Sequence, residues 1–245
     1  MKKKKITFSI ITPVLNDTKI KNVFRCLKNQ TFKNFEHIVV DGGSNKNVIK
    51  KLNNNKKNIS NLIIKKDKGI YDAINKGIKL SRGKVIGILN SDDIYYPKTL
   101  ELVNKYFVNK KIDYIFGSVL KQRLMHGFWP KKVWYKFNIY PAHSCGFFYK
   151  KKIHNTLGLY DLNFKYSSDR DLIFRLINSH YIGISAKKME VFGKFSPFGI
   201  SSRVSYLRVV IEEMKIRLKN QNLIVVFFVL ILKILNKFMN IIIKK

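Results

Sequence analysis

Apolar positions in the first half of the chain alternate between short unbroken runs and recurrence every fourth residue. Residues 6–12 form a β-branched apolar run, expected to end at Pro13, and Val23 and Leu27 then suggest a helix through about Asn29. A second apolar run, 36–40, ends on Asp41-Gly42-Gly43. The Lys- and Asn-rich stretch 45–58 reads as a solvated helix or loop, and 62–64 predicts a third strand. Ile70, Ile74 and Ile78, beside Ala73 and Gly77, predict a helix with one apolar face. Residues 85–89 predict a fourth strand that runs straight into Asn90-Ser91-Asp92-Asp93.

The second half is less regular. Residues 113–119 and 146–149 read as strands and 170–178 as a helix, with an aromatic, basic segment through Tyr140 between the two strands. Residues 203–220 have helical periodicity, with Arg203, Arg208, Lys215, Arg217 and Lys219 among apolar positions. The apolar run 223–232 is broken by Lys233, Asn236 and Lys237. It falls short of the ~20 apolar residues that usually span a bilayer, so a helix lying in the membrane interface is expected, with packing on the domain or a second subunit as the alternative.

Strands alternating with helices imply βαβ units and a mainly parallel sheet. Such sheets bind ligands at the carboxyl ends of their strands. Asp41, Asp67, Asp92 and Asp93 all stand at those ends. These are four of only 15 acids in the chain.

Composition sharpens that point. Lys and Arg number 48 against 15 acids among 245 residues, a formal charge of +33. The resulting field attracts polyanions: nucleic acid, anionic lipid or phosphorylated small molecules. An apolar share of 46% fits a folded chain and excludes a disordered one. Cys26 and Cys145 form neither a disulfide framework nor a metal-binding spacing, and suit a reducing compartment. The basic start followed by an apolar run is broken by Thr7, Ser9 and Thr12 and lacks a small-residue cleavage site, so it reads as a buried strand rather than a secretion signal.

Adjacent carboxylates at Asp92 and Asp93 repel each other unless a cation offsets them. A hard divalent ion shared with a substrate phosphate would do so; a turn that merely favours Asp is the plain alternative. The surrounding motifs separate the two. Ile10-Ile11-Thr12-Pro13-Val14-Leu15-Asn16, Gln30-Thr31-Phe32, Val39-Val40-Asp41-Gly42-Gly43-Ser44, Asp67-Lys68-Gly69-Ile70-Tyr71-Asp72-Ala73-Ile74-Asn75 and Leu89-Asn90-Ser91-Asp92-Asp93 follow in order, and Leu157-Gly158-Leu159-Tyr160-Asp161 and Ser168-Asp169-Arg170-Asp171-Leu172 continue them. Over about residues 6–200 the chain closely resembles the family 2 glycosyltransferases of bacterial cell-surface polysaccharide synthesis.

The resemblance implies an α/β, Rossmann-like GT-A fold over residues 1–202, with a helical extension over 203–245 that is basic and apolar. It implies an inverting sugar transfer from a nucleotide-diphosphate sugar, a uridine diphosphate sugar favoured, to a glycan or lipid-linked acceptor. Thr12, Pro13, Asp41, Asp67 and Asp92 would line the nucleotide site, and Asp93 would hold Mn²⁺ or Mg²⁺. Asp169 would be the catalytic base, although an Asp before a helix is also an ordinary N-cap. His143 would contact the acceptor or phosphates, or serve as a hydrogen-bonded structural residue. Trp129, Trp134 and Tyr135 are candidates for sugar stacking or for core packing. Two departures stand out: Gly42 and Ser168 occupy positions where relatives often carry acids. The basic C-terminal helices imply peripheral attachment to the inner, cytoplasmic face of an anionic membrane.

Rival readings fare worse. A nucleotidyltransferase would place a Gly-rich, cationic phosphate loop after the first strand, where this chain has Thr12-Pro13-Val14-Leu15-Asn16. A non-catalytic nucleic-acid-binding protein would explain the charge but not acids at four strand-end positions, so nucleic acid is not the expected partner. An inactive member of the family would not be expected to keep Asp92, Asp93 and Asp169.

Overall fold

The computed structural model describes residues 5–109, 111–128, 144–196 and 204–242. A seven-stranded sheet forms its centre, in the order β10-β6-β9-β4-β1-β2-β3. The strands are β1 (Phe8–Val14), β2 (Phe35–Asp41), β3 (Asn61–Ile64), β4 (Val85–Ile88), β6 (Tyr114–Phe116), β9 (Phe147–Lys150) and β10 (Gly183–Ser185). Strands β3, β2, β1 and β4 are parallel, as the alternation of strands and helices predicts, and β9 runs antiparallel between β4 and β6. The sheet is therefore mixed but mainly parallel, and helices α1 (Ile20–Lys28), α2 (Lys46–Asn54), α3 (Ile70–Leu80) and α4 (Thr99–Asn109) connect and flank it.

Local chemistry accounts for these elements. All of β1 is buried, and Ile10, Ile11, Ile38, Val39, Val40 and Ile86 fill the sheet centre, as unbroken apolar runs require. The polar stretch after β2 does form a helix: the Asn45 side chain caps it by accepting from the Val48 N–H at 3.2 Å, and Val48 and Leu52 are buried.

Three expectations about boundaries need correction. Pro13 does not end β1, which continues to Val14. Pairing of β1 with β4 stops at Ile11↔Ile88, so Pro13 lies where only β2 flanks the strand and its missing N–H disturbs no ladder. The expected strand over 113–119 is split at Gly117. Its second part, β7 (Ser118–Leu120), joins a smaller sheet of order β5-β11-β7-β8, with β5 (Ile94–Tyr95), β8 (Leu124–Met125) and β11 (Val191–Lys194). A Cβ at Gly117 would stand 2.1 Å from the Phe192 ring, so the chain can switch sheets there only with glycine. Finally, the helix expected over 170–178 begins earlier, as α6 (Ser168–Ile177), preceded by the short α5 (Ile153–Leu157).

The chain ends in α7 (Tyr206–Asn220) and α8 (Leu223–Ile242). Helix α7 buries Ile216, Glu213 and Arg217, and Glu213 pairs with Arg170 of α6 at 3.1 Å. Helix α8 continues through Lys233 instead of stopping there. Its inward stripe consists of Val226, Val229 and Lys233, and Lys233 pairs with Glu213. Among the described residues no helix is long and apolar enough to cross a membrane. The expected boundary at 202/203 lies outside the described residues.

Candidate active site

The loops leaving β1, β2, β3 and β4 meet at one edge of the sheet. After β1, Asn16 adopts φ 53°, a left-handed conformation that Asn tolerates. There its N–H donates to Ser44 Oγ at 2.7 Å and its Oδ1 accepts from the Asn45 N–H at 2.9 Å. The β1 and β2 loops are thereby joined, and the Gly42 N–H donates to Val14 O at 2.9 Å.

Asp41 ends β2 and is fully buried. Its Oδ1 accepts from the N–H groups of Gly43 and Ser44 at 3.0 and 2.8 Å, while Oδ2 is buried with no partner among the described residues. A buried, unpartnered carboxylate oxygen is costly, and a ligand N–H or O–H would satisfy it. Asp67 lies against Gly42, with Oδ1 accepting from the Gly69 N–H at 2.9 Å. Thr12 and Pro13 are buried, and the Thr12 hydroxyl faces His37 Nε2 at 3.0 Å. Burial pushes His37 down to about 4, opposed by the Asn58 carbonyl, so the ring is neutral and Thr12 donates to it. Thr12 thus braces the strand end through His37.

The acids after β4 differ from one another. Asp93 is fully buried; its Oδ1 accepts from the Ser196 N–H at 2.9 Å and its Oδ2 from Asn90 Nδ2 at 3.3 Å. Burial pushes its pKa up to about 8; the Ser196 N–H opposes this and the neighbouring Asp92 charge adds to it. Asp92 is only partly buried. Asn90 also donates to Ser144 Oγ at 2.9 Å, and its own Oδ1 is buried without a partner among the described residues. Ser91 Oγ donates to Asp17 Oδ2 at 2.7 Å, tying this loop back to the one after β1.

Among the described residues no three His, Cys, Asp or Glu side chains converge as a self-sufficient metal cage. What the loop offers is a set of hard oxygens, the Asp92 carboxylate and the orphaned Asn90 Oδ1, beside a buried acid whose charge needs offsetting. That set fits Mg²⁺ or Mn²⁺ completed by a substrate's phosphate oxygens. The sequence pointed to Asp93 as the ligand and Asp92 toward the ribose. Each Asp93 oxygen accepts one hydrogen bond and keeps a further lone pair, so these contacts are compatible with a cation on Asp93.

Asp169 reaches the same edge from α6. It lies inside the first turn, and Ser167 holds the cap position, so the N-cap alternative for Asp169 falls away. Tyr71, in the first turn of α3 and just past Asp67, donates its hydroxyl to Asp169 Oδ1 at 3.0 Å. Burial raises the Asp169 pKa, while the Arg170 charge and the Tyr71 hydroxyl oppose the rise. Asp171, its nearest rival, is fully buried and bonded to Arg175 Nε at 2.8 Å and Asn220 Nδ2 at 3.1 Å. Its oxygens hold the helices together. Ser168 Oγ is buried without a partner among the described residues.

Several residues of this arrangement escape a sequence reading: His37, Tyr71, Asn75 and Ser196. Asn75 Nδ2 and Oδ1 grip the Tyr160 carbonyl and N–H at 2.8 and 3.0 Å, binding α3 to the later motif. The available signal was that Tyr71 and Asn75 are spaced four apart and interrupt an apolar helix face with polar groups. His143, Trp129, Trp134 and Tyr135 lie outside the described residues.

A family model described as "Glycosyl transferase family 2" matches residues 9–171. A "PGL/p-HBAD biosynthesis glycosyltransferase" of Mycobacterium bovis is 31% identical over 184 residues, covering 70% of each chain. Solved structures share the fold at low identity. Staphylococcus aureus TarS 1–349 in complex with UDP-GlcNAc has a TM-score of 0.66 at 16% identity, covering 87% of this chain and 66% of that one. The mannosyltransferase PcManGT of Pyrobaculum calidifontis, in complex with GDP-Man and Mn²⁺, has a TM-score of 0.66 at 14% identity, covering 89% and 64%. The chain spans 39% of a longer TarS chain.

Proposed function

The chain belongs to glycosyl transferase family 2, and on that basis we propose that it transfers a sugar from a nucleoside diphosphate to an acceptor hydroxyl with inversion at the anomeric carbon. One observation carries the reading: the hydroxyl of Tyr71, in the first turn of the helix that follows Asp67, donates to Asp169 Oδ1 at 3.0 Å. A proton acceptor is thus tied to the helix that leaves one of the acid-bearing strand ends.

Asp41 Oδ2 and Asp67 would take the hydrogen-bond donors of the nucleoside, with Thr12 and Pro13 forming the strand end beneath it. Asp169 removes the proton of the acceptor hydroxyl as its oxygen attacks the anomeric carbon from the face opposite the diphosphate. General-base help of this kind typically contributes about 10²–10⁴-fold. The bond to the diphosphate breaks as the new bond forms, so a single displacement inverts the configuration. Asp93, with Asp92 beside it toward the ribose, would hold a divalent cation with the diphosphate, and that cation would offset the leaving group's charge. A uridine diphosphate sugar is the favoured donor, which the UDP-GlcNAc complex of TarS supports; the Mn²⁺ complex of PcManGT supports the metal. The acceptor is a glycan or lipid-linked saccharide presented at the inner face of a membrane, where exposed apolar residues of α8 and cations of α7 would rest.

The test is thermal stabilisation by a panel of nucleotide sugars with and without Mn²⁺, followed by transfer assays with the donor it selects. A ligand at 100 times its dissociation constant should add about 2.7 kcal/mol of stability. Asp93→Ala should lose the Mn²⁺-dependent part, and Asp169→Asn should keep donor binding but lose transfer. Full turnover by Asp169→Asn would defeat the general-base reading.

A further inference from the structure

Resting on the general-base reading of Asp169, we propose that Tyr71 is its positioning residue: the Tyr71 hydroxyl holds Oδ1, so that Oδ2 is the atom that receives the acceptor's proton.

Three contacts fix Tyr71 where a positioning group must be. Its ring is buried and stacked on Tyr160, with centroids 5.5 Å apart and planes 20° from parallel. Tyr160 is itself clamped by both polar atoms of Asn75, one turn further along α3. The ring therefore cannot swing away without unstacking Tyr160 from α3. From this fixed ring the hydroxyl reaches Asp169 Oδ1 at 3.0 Å and Tyr166 O at 3.3 Å. A phenol has one proton to give, and a carboxylate is the stronger acceptor, so the proton points to Asp169. Burial and the Asp169 charge both raise the Tyr71 pKa, which keeps the hydroxyl protonated and available as a donor.

The second donor to Oδ1 is the Arg170 N–H at 2.9 Å. Two donors thus occupy one oxygen, and Oδ2 receives no hydrogen bond from the described residues. The asymmetry decides where the proton goes. The acceptor O–H bond breaks, an Oδ2–H bond forms, and the electron pair released on the acceptor oxygen becomes the new bond to the anomeric carbon. The Tyr71 proton stays on Tyr71. Once Asp169 is neutral, the Tyr166 carbonyl is a competing acceptor for the Tyr71 hydroxyl, without any movement of the ring.

A tyrosine that only fills the core would show the same stacking but would not influence how Asp169 titrates. The deciding experiment is ¹³C NMR of the full chain labelled at aspartate Cγ, with the Asp169 signal identified by its loss in Asp169→Asn. In Tyr71→Phe the ring and its stacking remain and the donor is gone. The Asp169 midpoint should rise by about one pH unit, as expected for losing a hydrogen bond to the charged form. The acid limb of the transfer rate should rise with it, with the donor KM unchanged. An unmoved Asp169 midpoint in folded Tyr71→Phe overturns the proposal. Should Tyr71→Phe fail to fold, 3-fluorotyrosine at position 71, a stronger donor of the same shape, should lower the midpoint; no change again overturns it. A transfer-active Asp169→Asn would sink the general-base reading alone, leaving the Tyr71 hydrogen bond as measured.

Discussion

Asp67 occupies the space that any side chain at Gly42 would need: a Cβ built on Gly42 stands 2.4 Å from Asp67 Oδ2. The missing second acid after β2 and the position of Asp67 are one feature. Gly42→Ala should therefore push Asp67 off the Gly69 N–H and weaken donor binding, by about 1.5–3 kcal/mol for the lost charged hydrogen bond. Gly42→Asp should cost more, because it adds a like charge. In an Asp67→Ala background the Gly42→Ala penalty should largely vanish, and calorimetric titration of the four variants with donor reads this as a coupling energy. Strictly additive losses would mean that the two positions do not compete.

The two acids of the 169–171 segment should separate cleanly by assay. Asp171 is buried against Arg175, with Asn220 and Lys219 joining from α7. Breaking a buried pair by removing one partner costs about 3–5 kcal/mol. Asp171→Asn should lower the melting temperature markedly while leaving turnover per folded molecule close to wild type. Asp169→Asn should do the opposite. A selective loss of turnover in Asp171→Asn at full stability would reverse these assignments.

Much of this architecture was legible in the sequence because local pattern and global fold agree there. The unbroken apolar runs before Asp41 and Asp92 belong to strands buried on both faces, and strand ends in such sheets bind ligands. What stayed hidden depends on contacts distant in sequence. Pro13 is tolerated in β1 only because β4 has ended, and Gly117 changes sheets because Phe192 lies across it. Asp93 is buried and bonded to Ser196, a partner so distant in sequence that a turn-level reading cannot see it. Asp169 was visible through resemblance alone, since its local pattern also suits a helix cap. Tyr71 and Asn75 were masked by the apolar face they share.

Acid stability should depend on His37. Burial holds its pKa near 4, below the ordinary 6.5, so the folded state favours the neutral ring. Its contribution is therefore present above pH 6.5 and is lost as pH falls through about 4. By pH 4 that loss is on the order of 3 kcal/mol. His154, also held near 4 by burial, pulls in the same direction, so the comparison must isolate one residue. His37→Gln keeps an acceptor for Thr12 but cannot take up the proton. The stability advantage of wild type over His37→Gln should shrink steadily between pH 7 and pH 4 in thermal melts. A constant difference across that range would show that His37 is not held neutral by the fold.

The C-terminal helix makes the last prediction, because its two sides are so unequal. Inward it offers Val226, Val229 and Lys233, the last paired with Glu213 of α7. Outward it exposes Leu223, Ile224, Phe227, Phe228, Ile231 and Leu235. Fully burying such a side chain is worth about 1.5–3 kcal/mol. Arg208 and Lys215 of α7 are exposed nearby in sequence, and each cation adds about 1 kcal/mol at an anionic surface. The Lys233–Glu213 pair matters to the geometry: it holds the helix's charged position against α7, which leaves the apolar side chains facing out and favours lying flat over spanning. The protein should therefore sediment with phosphatidylglycerol vesicles, more weakly with phosphatidylcholine vesicles, and less as salt is raised. Removing residues 222–245 should leave it in the supernatant while Glu213 keeps Arg170 and Arg217 as partners. Phe227→Ser with Phe228→Ser should weaken vesicle binding roughly 100-fold, on the order expected for two lost apolar anchors. If the truncated chain still sedimented with the vesicles, α8 would not be the anchor, and its exposed face would have to be covered by a second subunit.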